Sequence, residues 1–400
     1  MIKGHLSSYF QGIAAKRLSA VETDPNTSHQ HEFNGVNQLI SMFGEDRNRY
    51  ESRFIFFGGE EGDTVIDDGF VTWYDARENH PTRSEFRLYY GSNFAIDLAK
   101  EGDTLVIAKT LKDTLLVLVI RSGSTMEQQV QWLFNISINP DSETFLVQEV
   151  QKENDPDINY ASRLILSEIG IEIEEFDENF LDPMLQRFDG KFPKTSIFSA
   201  YSRSTLRGIS ALDEPDLVLI QWMEREELLF RTLERHLVSQ QLTKHFPDIE
   251  SFISFSLSVQ NRRKSRAGYA LENHLKEIFM LHEITFTQNP ETENKATPDF
   301  IFPGIAQYRS TAFPNDHLTM LGVKSTCKDR WRQVLAEANR IEYKHLLTLE
   351  PGISENQTDE MKAKNLQLVI PKSIHDSFKP RQIEKLLDLK SFINLVKSRQ

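Results

Sequence analysis

The chain has one cysteine in 400 residues, Cys327, so no disulfide can form within it. That usage suits a reducing compartment, and a cytoplasmic protein is the expectation. No apolar run is long enough to cross a bilayer, and no early run has the form of a secretory signal, so no membrane partner is expected. The 11 histidines lack metal-ligand spacing such as His-Glu-x-x-His, which argues against zinc. No glycine-rich phosphate loop occurs, so nucleotide hydrolysis is not indicated. Internal repeats and low-complexity tracts are absent as well. Positive charge is in deficit: 46 Lys+Arg against 59 Asp+Glu leave a net charge of -13. Taken as a sum, that balance argues against a nucleic-acid partner.

The distribution matters more than the sum. With 39% hydrophobic and 26% charged residues, the chain is an ordinary globular one, long enough for two or three domains. Acid gathers between Glu153 and Glu250. Base gathers in Arg262, Arg263, Lys264 and Arg266, and again in Lys324, Lys328, Arg330 and Arg332. A local basic face within an acidic chain is compatible with DNA.

The first third reads as mostly β. Arg53–Phe57, Phe70–Tyr74, Glu85–Tyr90, Thr104–Lys109 and Thr114–Ile120 are candidate strands, and Thr125–Ile136 a short helix with a threonine cap. Many short strands with tight turns point to a barrel or sandwich. Arg83, Glu85 and Arg87 alternate along one expected strand and would share a face. Such a face can offer donors to guanine and an acceptor to cytosine, or it can be a solvated ionic ladder. A second polar cluster holds Arg17 and His29. Residues 171–195 form an acidic linker in this reading.

Leu217–Leu237 has helical apolar spacing and reads as a core or dimer helix, with Trp222 near its start. Ser265–Leu281 is a second amphipathic helix, with Glu272 at the edge of its apolar face. The run Arg262–Arg266 precedes it, where phosphate would meet charge and free N–H groups. His345–Leu349 and Leu366–Ile370 read as strands and Arg381–Val396 as a closing helix.

The chemistry concentrates between Pro298 and Glu337. Asp299 opens the apolar strand Phe300–Phe302, and Lys324 ends the strand Leu318–Lys324. After Cys327 the pattern turns helical, with Trp331, Val334, Leu335, Ala338 and Ile341 on one stripe. Glu337 falls on that stripe, and an inward charge is costly unless paired or bound to metal. Two carboxylates and a lysine suit Mg²⁺-dependent phosphodiester hydrolysis. The usual nuclease pattern has an acid two positions before the lysine, but that position is Gly322, and Glu337 is the substitute candidate. Against this stands a plain structural reading, in which Glu337 pairs with Arg340 or Arg332.

Three runs carry a resemblance. Ser258–Gly268 (Ser-Val-Gln-Asn-Arg-Arg-Lys-Ser-Arg-Ala-Gly), Pro298–Pro303 (Pro-Asp-Phe-Ile-Phe-Pro) and Val323–Gln333 (Val-Lys-Ser-Thr-Cys-Lys-Asp-Arg-Trp-Arg-Gln) are similar to the EcoRII restriction endonuclease family. The match is dense from about Phe252 to Pro371 and thinner over the N-terminal third. It implies an N-terminal β-rich DNA-binding pseudobarrel in residues 1–170 that acts as an effector domain. Residues 196–400 would then form an α/β restriction-endonuclease-like (PD-(D/E)XK) domain with a central mixed sheet. It further implies a homodimer that cuts both strands of duplex DNA at a CC-(A/T)-GG-like site with Mg²⁺, in a system with a cognate DNA methyltransferase.

By resemblance, Asp299 and Glu337 bind the metal, Lys324 orients water, and Glu272 assists. Lys328, Asp329 and Arg330 read base edges, and Arg262, Arg263, Lys264 and Arg266 meet phosphate. Arg17, His29, Arg83, Glu85 and Arg87 serve the effector domain, and Trp222 is a candidate platform for an extruded central base. Two other readings stay open: a silent DNA-binding regulator on a nuclease fold, and a repair nuclease that recognises structure.

Overall fold

The computed structural model describes residues 5–23, 31–59, 63–139, 144–150, 158–173, 175–327 and 330–400. It forms two compact units, Met1–Ile171 with Pro351–Gln357, and Glu172–Glu350 with Thr358–Gln400.

The first unit is built on one sheet of strands β1 (Phe10–Arg17), β2 (Glu32–Asn34), β3 (Asn48–Phe57), β4 (Thr64–Asp75), β5 (Phe86–Tyr90), β6 (Thr104–Thr110), β7 (Leu115–Ile120) and β8 (Leu146–Glu149). Their order is β2-β5-β4-β3-β7-β6-β1-β8, antiparallel throughout except for the parallel pair β3–β7. The middle strand β7 is a continuous run of branched apolar residues buried from end to end, and β6 beside it is buried up to Thr110, as expected of strands covered on both faces. Strand β4, nearer one edge, alternates toward its end, where Val71 and Trp73 turn into the core. Trp73 is fully buried, donates its indole N–H to the Gly44 carbonyl at 2.9 Å and stacks on Phe86.

Several expectations need correction here. Strand β1 was not anticipated, because Lys16 interrupts its apolar pattern. In the fold Lys16 is buried and paired with buried Glu22 at 2.5 Å. Strand β5 starts at Phe86, so Arg83 lies in the loop before it and does not share a strand face with Arg87. The helix expected from Thr125 is capped by Ser124, whose hydroxyl accepts the Glu127 N–H at 3.2 Å.

The second unit holds two long helices, Pro215–Leu242 and Ile249–Leu281, and a mixed sheet of β9 (Thr287–Gln288), β10 (Phe300–Phe302), β11 (Thr319–Lys324), β12 (Lys344–Thr348) and β13 (Leu366–Val369). The order is β13-β12-β11-β10-β9. Strands β11, β12 and β13 run parallel, and β10 is antiparallel to both its neighbours. The helix expected from Ser265 starts at Ile249, with Asp248 accepting the Ser251 N–H at 2.7 Å. The closing helix is two pieces, Pro380–Ile383 and Leu389–Arg399. In the segment 171–195, helix Leu181–Phe188 buries Met184 against Leu229 and Leu233 of the first long helix.

Breaking a buried ion pair by removing one partner strands the other charge, at about 3–5 kcal/mol. Lys16→Met should therefore lower the stability of the first unit by that order, read as the midpoint of its denaturant unfolding. A change no larger than that of a surface lysine substitution would show that Glu22 is not stranded.

Candidate active site

Strand β11 ends with Gly322, Val323 and Lys324 beside the start of β10. Asp299, just before β10 and largely buried, accepts the Val323 N–H at 2.6 Å and the Lys324 ammonium at 3.1 Å, both on Oδ2. One carboxylate oxygen thus ties together the two strands that carry the candidate acid and lysine. Glu272 comes from the long helix Ile249–Leu281. The side-chain amides of Gln288 and Asn289 stand 3.4 Å from it as donors, and burial together with the charge of Asp299 raises its pKa.

Glu337 arrives by a different route. The helix after Cys327 spans only Trp331–Leu335, and Ala338 takes a left-handed backbone with φ 49°, so Glu337 sits in a turn and not on a helical stripe. Its Oε2 is buried with no hydrogen-bond partner among the described residues. Burial pushes its pKa up to about 7; Asp299 adds to the rise, while Lys324 and Lys344 oppose it. The plain pairing alternatives do not hold, because both arginines are engaged elsewhere. Arg340 donates to the carbonyls of Ser310 and Phe313 at 2.9 and 2.7 Å, and Arg332 pairs with Glu360 at 3.2 Å.

Gly322 explains the missing acid. A Cβ at this position would lie 2.9 and 3.0 Å from the two methyl groups of Val334. No carboxylate fits where the usual pattern has one. The valine that closes the position starts the turn that brings Glu337 toward Asp299 and Lys324. Val334 was legible only as a core residue. Glu350 was missed altogether: buried at the end of β12, it accepts the backbone N–H of Cys327 and pins the chain just beyond Lys324.

The remaining candidates divide. Lys328, Asp329 and His29 lie outside the described residues. Arg330 folds back on Thr326, donating to its carbonyl at 3.0 Å and its hydroxyl at 2.8 Å. The run Arg262–Arg266 lies inside the long helix, not before it, so its N–H groups are not free. Arg263 donates to Glu234 at 2.8 Å, Arg266 pairs with Glu227 and lies over Phe230, Arg262 lies over Phe192, and Lys264 is exposed. Trp222 is 6% exposed between His274 and the Arg203 guanidinium, a core residue and not an open stacking platform. In the first unit Arg17 is held by Thr104 at 2.7 Å, the Gly102 carbonyl at 3.0 Å and Glu127. Arg87 bridges Glu32 and Glu85 at 2.6 and 2.5 Å, while Arg83 is exposed.

No group of three or more His, Cys, Asp or Glu side chains is arranged to hold a metal among the described residues. Mg²⁺ asks for less, since one or two carboxylates, substrate phosphate and waters usually hold it. The orphaned Oε2 of Glu337 and the all-oxygen donors around Lys324 fit such an ion.

Residues 230–393 match the family model described as EcoRII C terminal. The whole chain is 36% identical over 396 residues to the type II restriction enzyme EcoRII of Escherichia coli, covering 96% of this chain and 93% of that one. The chain belongs to the EcoRII family of type II restriction enzymes. Two solved structures are more distant. A metal-depleted Ecl18kI in complex with uncleaved, modified DNA has 18% identity and a TM-score of 0.45, over 56% of this chain and 85% of that one. A PspGI–substrate DNA complex has 14% identity and a TM-score of 0.44, over 52% and 93%. The assignment stands on the sequence match to EcoRII.

Two outcomes follow for this EcoRII relative. Gly322→Ala forces a methyl group onto a stiff β-branched neighbour and should cost about 1–3 kcal/mol of unfolding free energy. Adding Val334→Ala should recover part of that loss; if the double variant is no better than the sum of the singles, the close contact is not the cause. The second concerns pH. The Glu337 pKa is raised in the fold, so the stabilisation it carries is complete below its ordinary value of 4.5 and is lost as pH rises through about 7. Without divalent metal, Glu337→Gln should then match the native chain near pH 5 and exceed it by roughly 1–3 kcal/mol above pH 7. Melting curves at both pH values test this, and curves that stay parallel would refute it.

Proposed function

We propose that this EcoRII relative cuts both strands of duplex DNA by Mg²⁺-dependent phosphodiester hydrolysis at a short palindromic site of the CC-(A/T)-GG kind. It would act as a homodimer in a system that includes a cognate methyltransferase. The observation that carries the chemistry is the orphaned, electrostatically strained Glu337 carboxylate beside Asp299 and Lys324.

Asp299 and Glu337 would hold the ion. When bound, it supplies positive charge to the scissile phosphate and makes a coordinated water more acidic. Lys324, already fixed by Asp299, would orient the attacking water and offset charge building on phosphorus. Glu272, raised in pKa at the edge of the group, would receive or relay a proton.

Arg330 and its neighbours Lys328 and Asp329 would read the C·G pairs, with donor, acceptor and donor in sequence. For Arg330 this requires release from Thr326. Arg83, Glu85 and Arg87 would serve an effector surface of the first unit, to which Arg17 contributes as a support for the strand and not as a contact. Lys264, the exposed member of its run, would meet phosphate.

The deciding experiment is cleavage of plasmid carrying such sites. Lys324→Ala should lower the rate on the order of 10²–10³ or more with specific binding retained, since it removes one electrostatic stabiliser. Near-native cleavage by that variant would remove Lys324 from the mechanism. Cutting without base preference would favour the repair-nuclease reading instead.

A further inference from the structure

Lys344 has no part in the chemistry proposed above, yet its burial calls for a reason. It opens β12, whose five residues are all buried, and is itself only 7% exposed. Further along the strand, Leu346 and Leu347 are fully buried apolar residues. A methionine or leucine at the first position would avoid taking an ammonium out of water, which is costly unless the charge is answered. An ammonium also carries three donors. Among the described residues its one hydrogen bond goes to the Ile341 carbonyl, at 2.6 Å. Burial lowers the Lys344 pKa, and the negative charges that oppose this are Glu337 first and Glu293 second.

Of these two carboxylates, Glu293 is already satisfied. It accepts the Tyr308 hydroxyl at 2.8 and 2.6 Å on its two oxygens and the Asn339 N–H at 3.3 Å. Glu337 is not, since its Oε2 has no partner among the described residues. One turn joins Glu337 to the lysine. The Ile341 carbonyl takes the ammonium, while the Ile341 N–H donates to the Ala338 carbonyl at 2.9 Å. Ala338, with its left-handed backbone, directly follows Glu337. The ammonium thus clasps the end of the turn that carries Glu337 and acts by charge on the carboxylate at its start.

We propose that Lys344 is a positioning residue of the cleavage site: its ammonium clasps the turn 337–341 and holds the Glu337 carboxylate toward Asp299 and Lys324. The inference rests on the reading of Glu337 as a metal ligand and adds the residue that keeps it in place. Groups that orient a ligand of the metal contribute to the metal's affinity through that ligand. A purely structural lysine would serve the Ile341 carbonyl alone and be indifferent to the charge of Glu337.

Unfolding of the full chain without metal at pH 8 separates the two roles, using Lys344→Gln, Glu337→Gln and their combination. Glutamine at 344 keeps an N–H donor for Ile341 and removes the charge. It should raise the unfolding equilibrium constant about threefold or more beyond its effect in the Glu337→Gln background. Lys344→Met, which removes the donor as well, gives the same comparison if the glutamine variant fails to fold. An equal effect in both backgrounds would overturn the proposal. In plasmid cleavage, Lys344→Gln should need about tenfold more Mg²⁺ for half-maximal rate, with specific DNA binding in the absence of metal unchanged. An unaltered Mg²⁺ requirement would also overturn it. Near-native cleavage by Glu337→Gln would instead remove the metal-ligand reading, and this positioning role with it.

Discussion

The candidate site depends on the contact between Gly322 and Val334. A strand that faces a following helix is normally held off by its own Cβ atoms. At Gly322 there is none, and the valine methyls occupy the space where one would be. That approach seats the short helix Trp331–Leu335 directly on β11. The helix is one turn and a half long and ends at Leu335, so Glu337 follows within a single turn of the contact. A longer helix would carry Glu337 onto a regular face. A larger residue at position 322 would lift Val334, and Glu337 with it, away from Lys324. The absence of an acid at Gly322 and the presence of one at Glu337 are thus one packing fact.

Asp299 supplies the second constraint. Its Oδ2 is shared by a backbone N–H of β11 and the ammonium of Lys324, so the lysine is positioned by the same atom that joins the strands. Charge-assisted bonds of this kind are stronger than neutral ones and resist rotamer change. Glu272, on the long helix that buries Ala270, Leu271 and Leu275, lies near enough to Asp299 to feel its charge. Three carboxylates then face one lysine. Burial does most to raise the pKa of Glu337 and of Glu272, and the charge of Asp299 adds to both.

The second unit was legible where local pattern and fold agree. Strands β10, β11, β12 and β13 fall within two residues of the apolar runs that announced them, since each is fully or nearly buried and its hydrophobicity is continuous. The family resemblance rested on unbroken runs of sequence, and its strongest run ends one residue before Val334. What could not be read had physical reasons. Strand β1 hides behind Lys16, whose partner Glu22 lies in a different element. The first half of the long helix Ile249–Leu281 looks irregular because its apolar positions are exposed and serine fills the rest. The basic run within that helix looks like a phosphate site in sequence, yet the acidic residues that satisfy Arg263 and Arg266 come from the neighbouring long helix. Trp222 is a core residue for a similar reason: its partners His274 and Arg203 are distant in sequence.

Two buried acids in this chain separate structural charge from proposed functional charge. Glu22 is buried, and Lys16 and the Ser19 N–H and hydroxyl at 3.1 and 3.0 Å satisfy it. Its partners are local, so it asks nothing of the surroundings. Glu337 is less buried and carries an oxygen with no partner among the described residues, in a position where glutamine or a methyl-bearing residue would be easier to accommodate. An unsatisfied buried oxygen costs about 1–3 kcal/mol, a large fraction of the stability of a domain. A fold that satisfies Glu22 so fully has the means to satisfy Glu337, since Arg332 and Arg340 lie nearby in the chain and are directed elsewhere. Leaving that carboxylate open beside Asp299 and Lys324 leaves an oxygen donor of the kind that hard cations take.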